Sequence, residues 1–115
     1  MEAACRGAKR ASGTTVGILP GSSRAEANQW VDFALPTGLG EARNALVVRA
    51  SDAVIAIGGE FGTLSEIALA LKAGKPVAGI ATWRLDGPGD PPDPVVRAIR
   101  PEDAVEAVLS KLADR

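Results

Sequence analysis

Residues 58–66 read GGEFGTLSE, and here residue types and spacing can do chemistry. Three glycines in five positions, Gly58, Gly59 and Gly62, let the backbone reach positive φ and come close to a ligand. Thr63 with Glu66 three residues on has the form of a capping box, which starts a helix at Leu64. Just before the glycines, Val54–Ile57 is a short apolar run rich in β-branched residues, the mark of a buried strand. A strand, a glycine turn and a helix N-terminus aim free N–H groups and the positive end of the helix dipole at one point. That point suits phosphate or carboxylate. Two readings of the residues stand side by side: a plain strand-to-helix turn with Glu66 as capping partner, or an anion site. The spacing G-G-x-x-G is not the dinucleotide G-x-G-x-x-G, and no acidic residue ends a second strand at the usual distance. No lysine follows the last glycine, so the stretch is not a P-loop.

Other elements must position that turn. Residues 1–12 predict a helix with Met1, Ala4, Cys5 and Ala8 on one face and Arg6, Lys9 and Arg10 on the other, ended by Gly13. Residues 15–19 predict a strand stopped by Pro20 and Gly21. A polar loop over 22–28, a short strand over 30–35, a turn over 36–40 and a helix over 41–50 follow. The helix after the glycine turn carries Leu64, Ile67, Ala68 and Leu71 as its apolar stripe, and Gly74 and Pro76 end it. Residues 77–82 predict a strand and 95–99 a short edge strand, with an exposed loop over 86–94 between them. A last helix spans 101–112, with Pro101 in its first turn, Glu102 and Asp103 near the dipole's positive end, and Val105, Val108, Leu109 and Leu112 inward. Strands alternating with helices predict an α/β fold around a parallel sheet with right-handed crossovers. Ligands of such sheets bind beyond the C-terminal strand ends, where the loop at Pro20, Gly21 and Ser22 and the loop at 58–63 would meet.

The 115 residues suffice for one domain with a modest core. Net charge is −1 with both signs scattered, which gives no basic stripe for nucleic acid and no polybasic cluster for a membrane surface. No run is long enough to span a bilayer and none reads as a leader segment, so a cytoplasmic protein is expected. The absence of histidine rules out His-dependent triads, and the single cysteine rules out an internal disulfide and a cysteine-rich zinc site. No metal ligands are expected. Cys5, Trp30 and Trp83 read as packing residues, the tryptophans alternatively as an oligomer contact. Lys72 and Lys75 read as offsets to a helix dipole, and Asp52 as a turn residue.

Residues 58–66, G-G-x-x-G-T-x-x-E, resemble the P-G-G-x-G-T-x-x-E motif of the lonely-guy and "lysine decarboxylase-like" family, with one residue more between the paired glycines and Gly62, matching at Gly58, Gly59, Gly62, Thr63 and Glu66. With Ala42-Arg43-Asn44, residues 51–57 and residues 69–77, the chain looks most like the molybdenum-cofactor-carrier branch of that superfamily. The resemblance covers nearly the whole chain. It implies a Rossmann-like parallel sheet with helices on both faces, lacking about the first third of the domain, hence exposed sheet edges and uncovered apolar helix faces. It implies Glu66 and Arg43 as the catalytic pair of a hydrolase that cleaves the N-glycosidic bond of nucleoside 5′-monophosphates. Gly58, Gly59, Gly62 and Thr63, with Pro20, Gly21 and Asn44, would hold the phosphate. Placed in the first helical turn, Glu66 would stay ionised, which suits a nucleophile or an electrostatic role. Two departures from the hydrolase pattern, Ile57 for proline and Asn44 for lysine, lean toward a carrier that binds a phosphate-bearing pterin without converting it. The expectation is therefore a ligand-binding protein, with the phosphoribohydrolase and a non-catalytic structural module as alternatives. The ligand is a nucleoside monophosphate or the molybdenum cofactor, no other cofactor is required, and a homo-oligomer, dimer or higher, is expected.

Overall fold

Short apolar runs set the strands, and glycine, proline and hydrogen-bonding side chains set where they stop. A computed structural model describes residues 1–115, which divide into two compact units, 1–46 and 47–115. The architecture is mixed α/β, with parallel strands in two sheets and four α-helices.

The first unit holds helix α1 (Glu2–Arg10) and strands β1 (Val16–Leu19) and β2 (Phe33–Pro36), paired in parallel from Val16 opposite Phe33 to Leu19 opposite Pro36. Gly13 is not the left-handed residue that ends α1. Ser12 takes that place, with φ 63°. The N–H groups of Ser12 and Gly13 then donate to the carbonyls of Lys9 and Ala8, a Schellman closure. No residue of α1 is buried, and Met1 and Ala4 on its apolar face are exposed. β2 begins three residues later than its apolar run suggests. Asn28 caps a turn, accepting from the Trp30 N–H through Oδ1 (2.9 Å) and from the Val31 N–H through its carbonyl, which keeps that stretch out of the ladder. Entry to both strands is pinned by side chains. The Thr15 N–H donates to Asp32 Oδ2 (2.9 Å), and the Asp32 N–H donates to Thr15 Oγ1 (2.8 Å). Lys9 Nζ donates to the same carboxylate (2.9 Å).

Helix α2 (Arg43–Ala50), preceded by a 3-10 turn over Gly40–Ala42, spans the boundary between the units. The second unit then runs β3 (Val54–Ile57), α3 (Phe61–Lys72), β4 (Val77–Ile80), β5 (Val96–Arg97) and α4 (Pro101–Ala113). Its sheet has the order β3-β4-β5, all parallel. Alternation along β4 shows how the core is built. Val77 joins Val48, Ala56, Ile67, Ala70 and Val95 in a cluster under α3. Its neighbour Ala78 joins Ala104 and Val108 in a cluster under α4. Consecutive residues of one strand thus face different helices, so α3 and α4 cover opposite faces. The apolar stripes differ from expectation in detail. α3 buries Ile67 and Ala70 and leaves Ala68 exposed. α4 buries Ala104 and Val108, while Val105 and Leu109 are exposed. Small alanines at 70 and 104 let both helices lie close to the sheet.

Each sheet has two free edges: β1 and β2 pair only with each other, and β3 and β5 pair only with β4. Val16, Phe33, Leu35, Ile55 and Ile57 are exposed on these strands.

Candidate functional site

β3 ends where the Gly58 N–H donates to the Ile80 carbonyl of β4 (2.9 Å), so the glycine turn leaves the C-terminal edge of the sheet. Gly58 and Gly59 then take φ of 57° and 111°. Glycine at 59 is required twice over, by this conformation and because a Cβ there would overlap the Thr63 side chain. Two positive-φ residues reverse the chain so sharply that α3 starts at Phe61, earlier than the capping-box reading places it. Glu60 is the N-cap residue and makes no side-chain capping bond. Thr63 therefore sits inside the first turn, Gly62 is an ordinary helical residue, and Glu66 lies in the second turn, not the first. The first intrahelical bond is from the Leu64 N–H to the Glu60 carbonyl (3.2 Å). The N–H groups of Phe61, Gly62 and Thr63 precede it, in the position from which a helix start binds an anion.

Two aromatic residues stand at this turn, Phe61 within the glycine motif and Trp83 after β4, and neither was expected to serve the site. Trp83 follows β4, packs partly against the core cluster under α3, and donates from Nε1 to the Glu60 carbonyl (3.0 Å). Phe61 lies 5.5 Å from it, centroid to centroid, tilted by 32°. Phe61 is nonetheless 77% exposed. A planar, mostly uncovered ring held beside uncapped N–H groups offers a stacking face next to an anion position. Trp83 was readable as a packing residue. That it ties down the glycine turn depends on the loop after β4 folding back, which periodicity does not carry.

The remaining expected residues lie in the first unit. Arg43 opens α2 and donates from Nη1 toward the Ile18 carbonyl of β1 at 3.4 Å, with its Nε buried and unpaired. Asn44 beside it is buried. The loop at Pro20 and Gly21 is tied to residues 37–40: Thr37 donates to the Leu19 carbonyl, Gly38 to that of Gly21, and Gly40 to that of Pro20. The Glu26 carboxylate crowds Gly21, where a Cβ would collide with it. An anion at Gly21 meets that negative charge, so the Pro20–Gly21 loop is a weaker cradle than its sequence suggests. The structure thus gathers Gly58, Gly59, Gly62, Thr63 and Glu66 in one unit, and Pro20, Gly21, Arg43 and Asn44 in the other.

The family model described as SLOG cluster4 matches residues 1–105. The molybdenum cofactor binding protein of Rippkaea orientalis is 40% identical, with a TM-score of 0.80, covering 95% of this chain and 69% of that one. The molybdenum cofactor carrier protein of Chlamydomonas reinhardtii is 34% identical, with a TM-score of 0.76, covering 97% of this chain and 69% of that one. An uncharacterized protein of Archaeoglobus fulgidus is 40% identical over 114 residues, 96% of this chain and 68% of that protein.

Proposed function

Because the chain belongs to the SLOG cluster4 family, we propose that it is a carrier-type binding protein whose cargo is a phosphate-bearing pterin, the molybdenum cofactor. The observation that carries this reading is the uncapped start of α3, reached through Gly58 and Gly59 and flanked by the exposed Phe61 ring. In this assignment the N–H groups of Phe61, Gly62 and Thr63 receive phosphate, and the ring of Phe61 takes the flat heterocycle. Carrying needs only binding and orientation, and both are supplied without a side chain that moves a proton. Glu66, one turn into α3, is then a positioning group beside the site. The same reading makes the working protein a homo-oligomer.

The test is equilibrium dialysis of the wild-type chain and Glu66→Gln against molybdenum cofactor. In parallel, AMP is incubated with both proteins and free adenine is sought by chromatography. Retained cofactor in both proteins, with no adenine from either, is the expected result. Adenine released by the wild type and lost in Glu66→Gln would instead establish a phosphoribohydrolase.

A further inference from the structure

A second cleft opens on the same C-terminal edge of the second unit's sheet, between β4 and β5. It has a volume of about 540 Å³ and is walled by Ile80, Thr82, Arg84, Arg97, Ala98 and Ile99. The parallel register creates it. Gly79 stands opposite Arg97, and the Ala98 N–H donates to the Gly79 carbonyl (2.9 Å), so the chain segments after both strands rise side by side. Gly79 leaves the room: a Cβ there would lie 2.6 Å from Thr82 Cγ2 and 3.3 Å from Arg97 Nη1. Ala81, between Ile80 and Thr82, holds φ at 47°, a conformation that costs a non-glycine residue free energy.

The polar groups of this cleft are incompletely used. Arg97 donates from Nη2 to Asp93, yet its Nε is buried with no partner. Thr82 Oγ1 is also buried with no partner. Arg84 is exposed and forms no ion pair. Two guanidiniums against the single carboxylate of Asp93 leave the cleft with a surplus positive charge. Beside these donors the wall is apolar: Ile80, Ala98 and Ile99, the last 91% exposed. Buried donors without partners are costly, and a ligand seated in this cleft relieves that cost while its apolar part covers the wall.

We infer that this cleft binds an organic phosphate monoester, its phosphate on Arg84, Arg97 and Thr82 and its organic part against Ile80, Ala98 and Ile99. Arginine suits the role, since its planar donor fork matches phosphate oxygens. The cleft adjoins the glycine turn through the bond from Gly58 to Ile80, but it uses none of the residues of the carrier site. The inference therefore stands whether or not the carrier reading does.

Phenyl phosphate and inorganic phosphate are the probes, titrated by calorimetry at constant ionic strength against wild type, Arg84→Gln, Thr82→Val and Lys111→Gln. Lys111 lines a different cleft, at the N-terminal end of β4, and serves as the control for nonspecific charge. Phenyl phosphate is expected to bind saturably and several-fold tighter than inorganic phosphate. Arg84→Gln should weaken it about tenfold and Lys111→Gln should leave it unchanged. Thr82→Val removes a buried donor without touching charge and should also weaken it. No saturable binding at millimolar concentration, equal affinity for the two phosphates, an unchanged affinity in Arg84→Gln and Thr82→Val, or an equal loss in Lys111→Gln would each overturn the inference.

Discussion

Asp32 shows how much a single residue can hold in so small a unit. Its carboxylate accepts from Lys9 Nζ and from the Thr15 N–H, while its own N–H donates to Thr15 Oγ1. Lys9 and then the Thr15 N–H hold its carboxyl below the ordinary value of 3.8. A carboxyl lowered by folding contributes stability above its ordinary value, and that contribution is lost as pH falls through its folded value. The protein should therefore lose stability on acidification from 3.8 downward. Asp93 acts in the same direction: burial pushes it up, but donors from Arg97, Leu85 and Val95 more than offset this and hold it low. Asp32→Asn should flatten the fall, and urea titrations at stepped pH would measure it. An unchanged slope in the variant would show that Asp32 is not the group responsible. The sequence marked Lys9 as one face of a helix and left Asp32 unmarked. Nothing in local spacing pairs residues 23 positions apart.

At the scale of the element, α3 and its entry turn combine what was legible with what was not. The apolar run of β3, the position of Gly74 and the presence of a helix between them were all readable, and the structure has each. Gly74 is left-handed at φ 72°, with the N–H groups of Gly74 and Lys75 closing on the carbonyls of Leu71 and Ala70. The start of the helix was not readable, because it depends on Gly58 and Gly59 reversing the chain within two residues. That choice belongs to the tertiary position of Glu60 under Trp83, not to capping propensity. Lys75 was legible as a cation near a helix end, but the helix it serves is α2, whose Val48 and Arg49 carbonyls accept from Nζ. Two substitutions separate packing from turn geometry. Ile67 is fully buried between α3 and the sheet, so Ile67→Ala should cost about 2–4 kcal/mol of stability. Gly59→Ala must strain the turn and displace Thr63, so binding at the start of α3 should weaken out of proportion to any stability lost. Chemical denaturation and ligand titration of the two variants would test this, and equal losses of stability and affinity in both would refute it.

For the whole molecule, the family resemblance and the α/β alternation gave the fold class correctly, and the second unit does cover both faces of its parallel sheet. The distribution of the strands was less legible: they form two sheets, since hydrogen-bond pairing between distant strands leaves no mark in local periodicity. This arrangement has an energetic consequence. Val16, Phe33 and Leu35 on one sheet and Ile55 and Ile57 on the other remain exposed, on strands with free edges. Unpaired N–H and C=O groups beside exposed β-branched and aromatic side chains invite strand addition and association. Much of the apolar content therefore adds little to the stability of an isolated chain, although the buried clusters around Ile67 and Ala78 are well formed. The chain alone should melt below about 60 °C, with a midpoint and light scattering that depend on protein concentration. Differential scanning calorimetry over a tenfold concentration series, with scattering recorded in parallel, measures both. A cooperative, concentration-independent melt of a monomer above about 60 °C would show that these edges and faces cost the chain little.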